Sequence, residues 1–274
     1  RLHGRLRGRL RDSPAAVRLG AVLGSRAFRV ATGTATAGCL AWEVVSFFAR
    51  QHEEEPGMPE LCLGLQAPVR RARREKEAAF RALVETAQRI GAAGDSRAAQ
   101  EAAAEAHRLL YPTLSPEALR ARREAHGAVK WTGEALAAVA RRSPLVELGA
   151  GRGQWQRALS AAGADVVAFD DMSSPSTRLG MVGSVQHGTE EAVRRHGDRS
   201  LLLVYPNPGP MAARCLERYA GRTLVYVGEG RGGVNGDDAF FDALGRSWAL
   251  EETHAVDALP DCHERVWILR RAAA

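Results

Sequence analysis

Residues 146–153 (VELGAGRG) have the composition of a turn that binds a ligand. Gly149, Gly151 and Gly153 permit a tight turn and let a ligand approach the backbone closely. A helix is predicted to follow, and the first turn of a helix offers unpaired N–H groups and the positive end of the helix dipole. A dinucleotide fingerprint, G-x-G-x-x-G, would need a glycine at position 154, which is Gln154 in this chain. The segment therefore predicts a ligand site at the start of a helix, and its spacing disfavours a nicotinamide dehydrogenase.

An acidic residue two positions before the first glycine extends the pattern to Glu147-x-Gly149-x-Gly151-x-Gly153. This pattern resembles motif I of the class I S-adenosylmethionine-dependent methyltransferases. The resemblance implies that the three glycines line S-adenosylmethionine. It also implies that Glu147 orients the loop and the amino end of the methionine part of this cofactor.

A second acidic residue, Asp170, ends the next predicted strand, about 20 residues after the glycine turn. The resemblance implies that Asp170 accepts hydrogen bonds from both ribose hydroxyls, and a carboxylate has the two acceptor oxygens that this role needs. Asp171 could substitute for it or assist it. By the same resemblance, residues 172–173 lie at the adenine, and His187 with the two residues after it occupies another position on the adenine side.

The segment Tyr205-Pro206-Asn207-Pro208 ends the fourth predicted strand, where the resembling family places catalytic or substrate-facing residues. Tyr205 and Asn207 are therefore the candidate catalytic residues. Members that methylate amino groups have Asp/Asn-Pro-Pro-Tyr/Phe at this place. The order here departs from that motif, which argues against adenine or glutamine nitrogen as the acceptor. A proline-rich turn without a catalytic role stays open as the alternative.

A second glycine-rich loop, residues 228–233 (GEGRGG), follows the fifth predicted strand at the same edge of the sheet. Ligands bind at that edge in open α/β folds, so Glu229, Arg231 and Asp237 are candidates for a substrate rim. The alternative is a plain loop followed by a helix that Asp237 caps. Together with residues 236–241 (GDDAFF), this loop resembles uncharacterised methyltransferase-like proteins of protists and fungi.

Short apolar runs alternate with helical segments from Pro144 onward, which predicts a parallel, doubly wound sheet. Strands are predicted at 145–148, 165–169, 181–185, 201–205, 223–227, 249–256 and 264–269. Helices are predicted at 153–162, 189–196, 210–219 and 237–245. The last two strands have no helix between them and could form an antiparallel pair. The predicted fold is α/β and Rossmann-like, a seven-stranded, mostly parallel sheet with helices on both faces, preceded by an α-helical N-terminal extension.

The sequence divides into four predicted segments. They are a basic arm at 1–29, an apolar helix at 30–50, a helical extension at 51–142 and the class I methyltransferase-like domain at 143–274. Within the extension, helices are predicted at 66–110, interrupted near Asp95, and from Ser115 to about Arg141, with a break near Gly127.

The first two segments bear on location. Residues 1–29 contain eight arginines and one acidic residue, a composition typical of organellar import signals. A basic arm that contacts RNA or lipid stays open. Residues 30–50 are long enough to span a bilayer as a helix, although Glu43 would be costly there and a buried soluble helix is the alternative. These features favour a mitochondrial location, including the inner membrane, over the chloroplast or the cytoplasm.

The four cysteines form no C-x-x-C pair, and no histidine stands at metal-ligand spacing from them. We therefore expect reduced cysteines and no metal site. The net charge of +6 fits nucleic acid or anionic lipid as a partner without choosing between them.

Two functions fit the sequence. The leading hypothesis is a methyltransferase that uses S-adenosylmethionine on RNA, a protein or a small molecule. The competing hypothesis is a methyltransferase-like accessory subunit, without catalysis, in a large mitochondrial complex of the inner membrane (respiratory) or of the ribosome.

Overall fold

The computed structural model describes residues 60–63 and 67–272. The predicted basic arm at 1–29 and the predicted apolar helix at 30–50 lie outside these residues. Among the helices that are described, none combines the length and the hydropathy that a membrane span requires.

Seven strands form one sheet in the order β3-β2-β1-β4-β5-β7-β6. Every neighbouring pair is parallel except the two that include β7, which runs antiparallel to β5 and to β6. The strands are β1 (Leu145–Leu148), β2 (Val166–Asp170), β3 (Gln186–His187), β4 (Ser200–Val204), β5 (Thr223–Gly228), β6 (Trp248–Ala255) and β7 (Arg265–Arg271). The predicted seven-stranded, mostly parallel sheet is confirmed, and the last two strands form the antiparallel pair.

The predicted third strand at 181–185 is wrong, because β3 is the short segment Gln186–His187. The backbone N–H groups of Val182 and Gly183 donate to the carbonyl of Arg152 instead, at 2.7 and 3.0 Å. These residues therefore pack on the glycine turn, and the chain joins the sheet only afterwards.

The helices agree closely with the sequence pattern. In chain order they are α1 (Glu60–Leu63), α2 (Ala67–Ala92), α3 (Ser96–Leu110), α4 (Pro116–His126), α5 (Gly133–Ala140), α6 (Gln154–Ala161), α7 (Met211–Arg218) and α8 (Asp238–Ser247), with 3₁₀ turns at Pro175–Leu179 and Glu190–Arg195. Asp95 and Ser115 accept the N-cap hydrogen bonds of α3 and α4. The predicted break near Gly127 is real, since α4 ends there with Gly127 at φ 74°.

Both faces of the sheet are covered, because apolar side chains alternate between two buried clusters. In β5, Leu224 and Tyr226 pack in one cluster, while Val225 and Val227 pack in the other. A strand buried on both faces needs such a continuous apolar run. The same alternation turns Glu147 of β1 away from Val146 and Leu148, whose cluster lies on the first face.

Several polar contacts attach the helical extension to the sheet domain. The Gln154 side chain donates to the carbonyls of Arg123 and Glu124, at 3.4 and 3.3 Å, in the last turn of α4. On α2, Arg73 binds Glu229 through both guanidinium nitrogens, each 2.6 Å from a carboxylate oxygen. Since these partners come from distant parts of the sequence, the extension and the sheet domain support each other.

Replacement of Arg73 tests its pairing with Glu229. Arg73→Ala should lower the free energy of unfolding by about 3 kcal/mol, because it leaves a buried carboxylate without its counter-charge. Urea unfolding of the full chain measures this loss. Arg71→Ala is the matched control, since Arg71 pairs on the exposed surface with Glu75, and it should cost only a small fraction of that value. An equal loss of unfolding free energy in the two variants would mean that the Arg73–Glu229 pair stabilises the fold no more than an exposed ion pair does.

Candidate functional site

The glycine turn lies at the carboxyl end of β1, between Leu148 and the first residue of α6. Gly153 precedes α6 with φ 84°, and no side chain caps the helix. No acidic residue stands in its first turn. Apart from the N–H of Gln156, which is bonded to the carboxyl of Glu147, the N–H groups at this helix start have no side-chain partner and can attract a negatively charged group.

Gly151 and Gly153 serve different purposes in this turn. A side chain placed on Gly151, at φ 56°, would meet nothing within 4 Å, so the turn is open at this point. A Cβ on Gly153 would lie 2.9 Å from the Cα of Gly183. Gly153 is thus needed for packing of the chain on itself, whereas Gly151 leaves room for a ligand.

Asp170 ends β2 and is 7% exposed. Its two oxygens accept hydrogen bonds of 2.8 Å, one from the N–H of Gly151 and one from the N–H of Met172. Each carboxylate oxygen can accept a further bond. Asp170 therefore fixes the glycine turn and still offers two acceptor oxygens beside it.

Glu147 is 1% exposed, and its Oε2 has no hydrogen-bond partner. Burial raises the pKa of this carboxyl to about 8, with a further upward contribution from Asp170 and a downward one from the N–H of Gln156. An unpartnered buried carboxyl is costly unless a ligand completes it. A cationic group at the glycine turn would do so.

Two other predicted cofactor residues, Asp171 and His187, have exposed side chains. Asp171 accepts hydrogen bonds from the N–H and the hydroxyl of Ser173, at 2.9 and 2.7 Å, and so stabilises its own turn. His187 pairs with Asp170 across β2 and β3, which places it beside the site. Their predicted roles at the cofactor stay predictions.

Tyr205 and Asn207 follow β4 at the same edge of the sheet. Tyr205 is half-buried and has φ 48°, a left-handed conformation that is rare for a residue with a side chain and is often kept at functional sites. Burial, with a smaller contribution from Glu264, raises the pKa of Tyr205 to about 12. Asn207 is exposed. Both positions are compatible with the predicted contact to a substrate.

The predicted substrate rim is wrong for Glu229, whose side chain is fully buried. Besides Arg73, it accepts hydrogen bonds from the N–H groups of Val234 and His263, at 3.0 and 2.9 Å. Burial raises its pKa, but Arg73 and these N–H groups outweigh burial, so the net pKa is lowered. Glu229 therefore holds the loop after β5 in shape and does not face solvent.

The other two rim candidates also have partners within the chain. Arg231 forms ion pairs with Asp238 and Asp242 and lies over the ring of Phe241. Asp237 accepts a 2.9 Å hydrogen bond from the N–H of Phe240. Asp237 is thus the N-cap of α8, the alternative that the sequence left open.

Sequence reasoning missed Glu264. It is 8% exposed, its Oε2 has no hydrogen-bond partner, and it directly precedes β7. Because β7 is antiparallel, its first residues lie at the edge where the parallel strands end. An acidic residue before an antiparallel strand was the available signal. Elsewhere in the described ranges, no group of three His, Cys, Asp or Glu side chains is arranged to hold a metal ion.

Comparison with known proteins gives a likeness in structure alone. No protein-family model matches the chain, and no curated protein matches it in sequence. A magnesium protoporphyrin IX methyltransferase from Synechocystis PCC 6803, solved with bound S-adenosylhomocysteine, matches at 12% identity and a TM-score of 0.36, over 51% of this chain and 83% of that one. A 1,6-didemethyltoxoflavin-N1-methyltransferase from Burkholderia thailandensis matches at 17% identity and a TM-score of 0.35, over 52% and 78%.

A tRNA (uracil-54, C5)-methyltransferase from Pyrococcus abyssi matches at 14% identity and a TM-score of 0.32, over 50% of this chain and 37% of that one. The chain itself has an α/β fold with one seven-stranded, mostly parallel sheet. Likenesses this distant select neither a function nor a substrate.

A pair of glycine substitutions tests the division of roles in the turn. Gly151→Ala should cost only backbone strain, roughly 1–2 kcal/mol, because the space beside it is open. Gly153→Ala should cost clearly more, because the new methyl group collides with the backbone of Gly183. Urea unfolding of both variants gives the two values. A larger loss for Gly151→Ala would contradict the assignment.

The raised pKa of Glu147 predicts a pH dependence of stability. The folded chain holds the proton of Glu147 up to about pH 8, whereas the carboxyl of the unfolded chain titrates near its ordinary 4.5. Folding is therefore favoured at low pH, and this contribution is lost as the pH rises toward 8. The melting temperature of the wild type should fall over this range more than that of Glu147→Gln, which carries no titrating group. Parallel curves for the two proteins would show that Glu147 titrates normally.

Proposed function

We propose that residues 143–274 bind S-adenosylmethionine and that the chain transfers the methyl group of this cofactor to an acceptor beside β4 and β5. The observation that carries the proposal is the buried carboxyl of Glu147, whose Oε2 has no hydrogen-bond partner, beneath an open glycine turn. A cation bound there would favour the ionised form of this carboxyl, and the amino group of the cofactor's methionine part is a cation.

The other residues of the site suit the remaining groups of the cofactor. Asp170 offers two buried acceptor oxygens for the ribose hydroxyls. The uncapped start of α6 suits the carboxylate of the methionine part. The open side of Gly151 leaves space beside both. The motif and the geometry thus both support the proposed ligand.

When bound, S-adenosylmethionine supplies a methyl group that its sulfonium has already activated. The task of the chain is to hold the acceptor in line with that group. Tyr205 has a pKa of about 12, so at neutral pH its hydroxyl is protonated and can orient an acceptor by hydrogen bonding. It does not serve as an ionised base, and Asn207 can contribute only hydrogen bonds.

The location and the partners of the chain are further proposals. The arginine-rich composition of residues 1–29 supports a mitochondrial location, and the apolar residues 30–50 support association with the inner membrane. The proposed methyl acceptor is an RNA, a protein or a small molecule. A non-catalytic subunit of a mitochondrial complex is the alternative if the cofactor site fails.

Calorimetric titration of the full chain with S-adenosylmethionine tests the proposed function. We expect binding at micromolar concentration. Asp170→Ala should weaken it about 100-fold or more, since the variant loses two hydrogen bonds to a charged acceptor. Circular dichroism must show that the variant is folded, because Asp170 also fixes the glycine turn. Asp170→Asn, which keeps the shape, is the second variant.

Asp198→Ala is the control, since Asp198 is exposed and lies before β4, at the opposite edge of the sheet from the site. It should leave the affinity nearly unchanged. Absence of binding by folded wild-type protein at millimolar ligand would contradict the proposed methyltransferase and favour the accessory-subunit alternative. Equal weakening by Asp170→Ala and Asp198→Ala would argue against Asp170 at the ribose position.

A further inference from the structure

Glu264 lies on the acceptor side of the proposed site. It directly precedes β7, in which Arg265 pairs with Gly228, the last residue of β5. Tyr205 directly follows β4, and its N–H donates to the carbonyl of Val227 in β5, at 2.7 Å. Glu264 and Tyr205 are therefore at the same edge of the sheet. They lie on the β4, β5 and β7 side of β1, whereas Asp170 lies on the β2 side.

The carboxyl of Glu264 is buried without a full set of partners. The residue is 8% exposed, and Oε2 accepts no hydrogen bond. Buried carboxylates are expected to be paired or hydrogen-bonded, because desolvation penalises the free charge. Glu229, which follows β5 at the same edge of the sheet, shows the usual solution, with Arg73 and two N–H groups on its oxygens.

The two cations that act on Glu264, Arg73 and Arg122, are already paired with other acids. Arg73 is bound to Glu229, and Arg122 binds Asp257 at 3.2 Å. Both lower the pKa of Glu264 through their charge, but neither donates a hydrogen bond to its Oε2. Among the described residues, Oε2 therefore has no donor, and a ligand could supply one.

We propose that Glu264 binds a protonated primary or secondary amine and that this amine is the methyl acceptor, a proposal that rests on the proposed function. An ammonium group supplies both the missing charge and N–H donors for Oε2. A carboxylate or phosphate ligand would be repelled, and a neutral apolar group would leave Oε2 unpartnered. The half-buried ring of Tyr205, at the same edge, gives an aromatic neighbour that favours a cation.

Glu264 also suits the proton transfer that an amine requires. The nitrogen of an ammonium has no free electron pair, so one N–H bond must break before the nitrogen can accept a methyl group. The proton passes to the carboxylate of Glu264, which becomes the neutral acid, and the electron pair of the broken bond stays on nitrogen. Burial raises the pKa of Glu264, its own backbone N–H and the charges of Arg73 and Arg122 lower it, and Glu229 raises it, with a net increase.

Titration of the full chain with benzylamine, followed by ligand-observed NMR, tests the proposal. Benzyl alcohol and benzoate have nearly the same shape but are neutral and anionic. Each titration is made with and without saturating S-adenosylhomocysteine. We expect benzylamine to bind, and the alcohol and the benzoate to bind at least about tenfold more weakly, since both lack the charge-assisted hydrogen bond.

Three variants locate the binding. Glu264→Gln should weaken benzylamine about tenfold or more, and Glu264→Asp, which keeps the charge, should retain binding. Glu217→Gln, an exposed acid on α7, is the matched control and should change nothing. Glu264→Gln should melt no lower than the wild type, because it removes an uncompensated buried charge. S-adenosylhomocysteine should bind all variants equally.

The proposal is overturned if benzylamine does not bind the wild type, if the alcohol binds as well, or if Glu264→Gln binds the amine unchanged. Its failure is separable from failure of the proposed function. Loss of the amine site with normal binding of S-adenosylhomocysteine leaves the cofactor site intact. Absence of S-adenosylhomocysteine binding contradicts the proposed methyltransferase function. The benzylamine titration made without S-adenosylhomocysteine still decides whether Glu264 binds amines.

Discussion

Parallel pairing of β1 with both β2 and β4 is the constraint on which the candidate site depends. It brings three strand ends that are separated in sequence to one edge of the sheet, so that Glu147 and Asp170 meet at the glycine turn and Tyr205 follows close by. Without this pairing, Glu147 and Asp170 would not be brought together in the buried interior. The apolar runs that cover both faces hold the strands in this arrangement.

The buried carboxyls differ in whether hydrogen bonds or ion pairs offset the cost of their desolvation. Asp170 and Glu229 have backbone N–H groups or an arginine on their oxygens, and they stabilise the turns that carry them. Glu147 and Glu264 each keep an oxygen without a partner. The other buried acids of the described residues have partners, so these two exceptions are where we propose that ligands bind.

Much of this could be predicted from the sequence, and the limits have physical reasons. The glycine turn, Asp170 and the helix starts near Asp95 and at Ser115 could be predicted because each depends on a few residues that are neighbours in sequence. β3 was misplaced because residues 182–183 bond to the glycine turn, a tertiary contact without a local signal. Glu229 was assigned to the surface because its partner, Arg73, is distant in sequence. Glu264 was missed because its position depends on the direction of β7.

The order of the strands has a consequence for how the sequence of such a chain can evolve. The residues proposed for the methyl donor lie on β1 and β2, whereas Tyr205 and Glu264, proposed for the acceptor, lie beside β4 and β7, on the other side of the boundary between β1 and β4. The two proposed sets of residues are thus also separate blocks of sequence, with residues 145–170 in one and residues 200–271 in the other. Under the proposed function, recombination within the second block would alter the choice of acceptor and leave the first block intact.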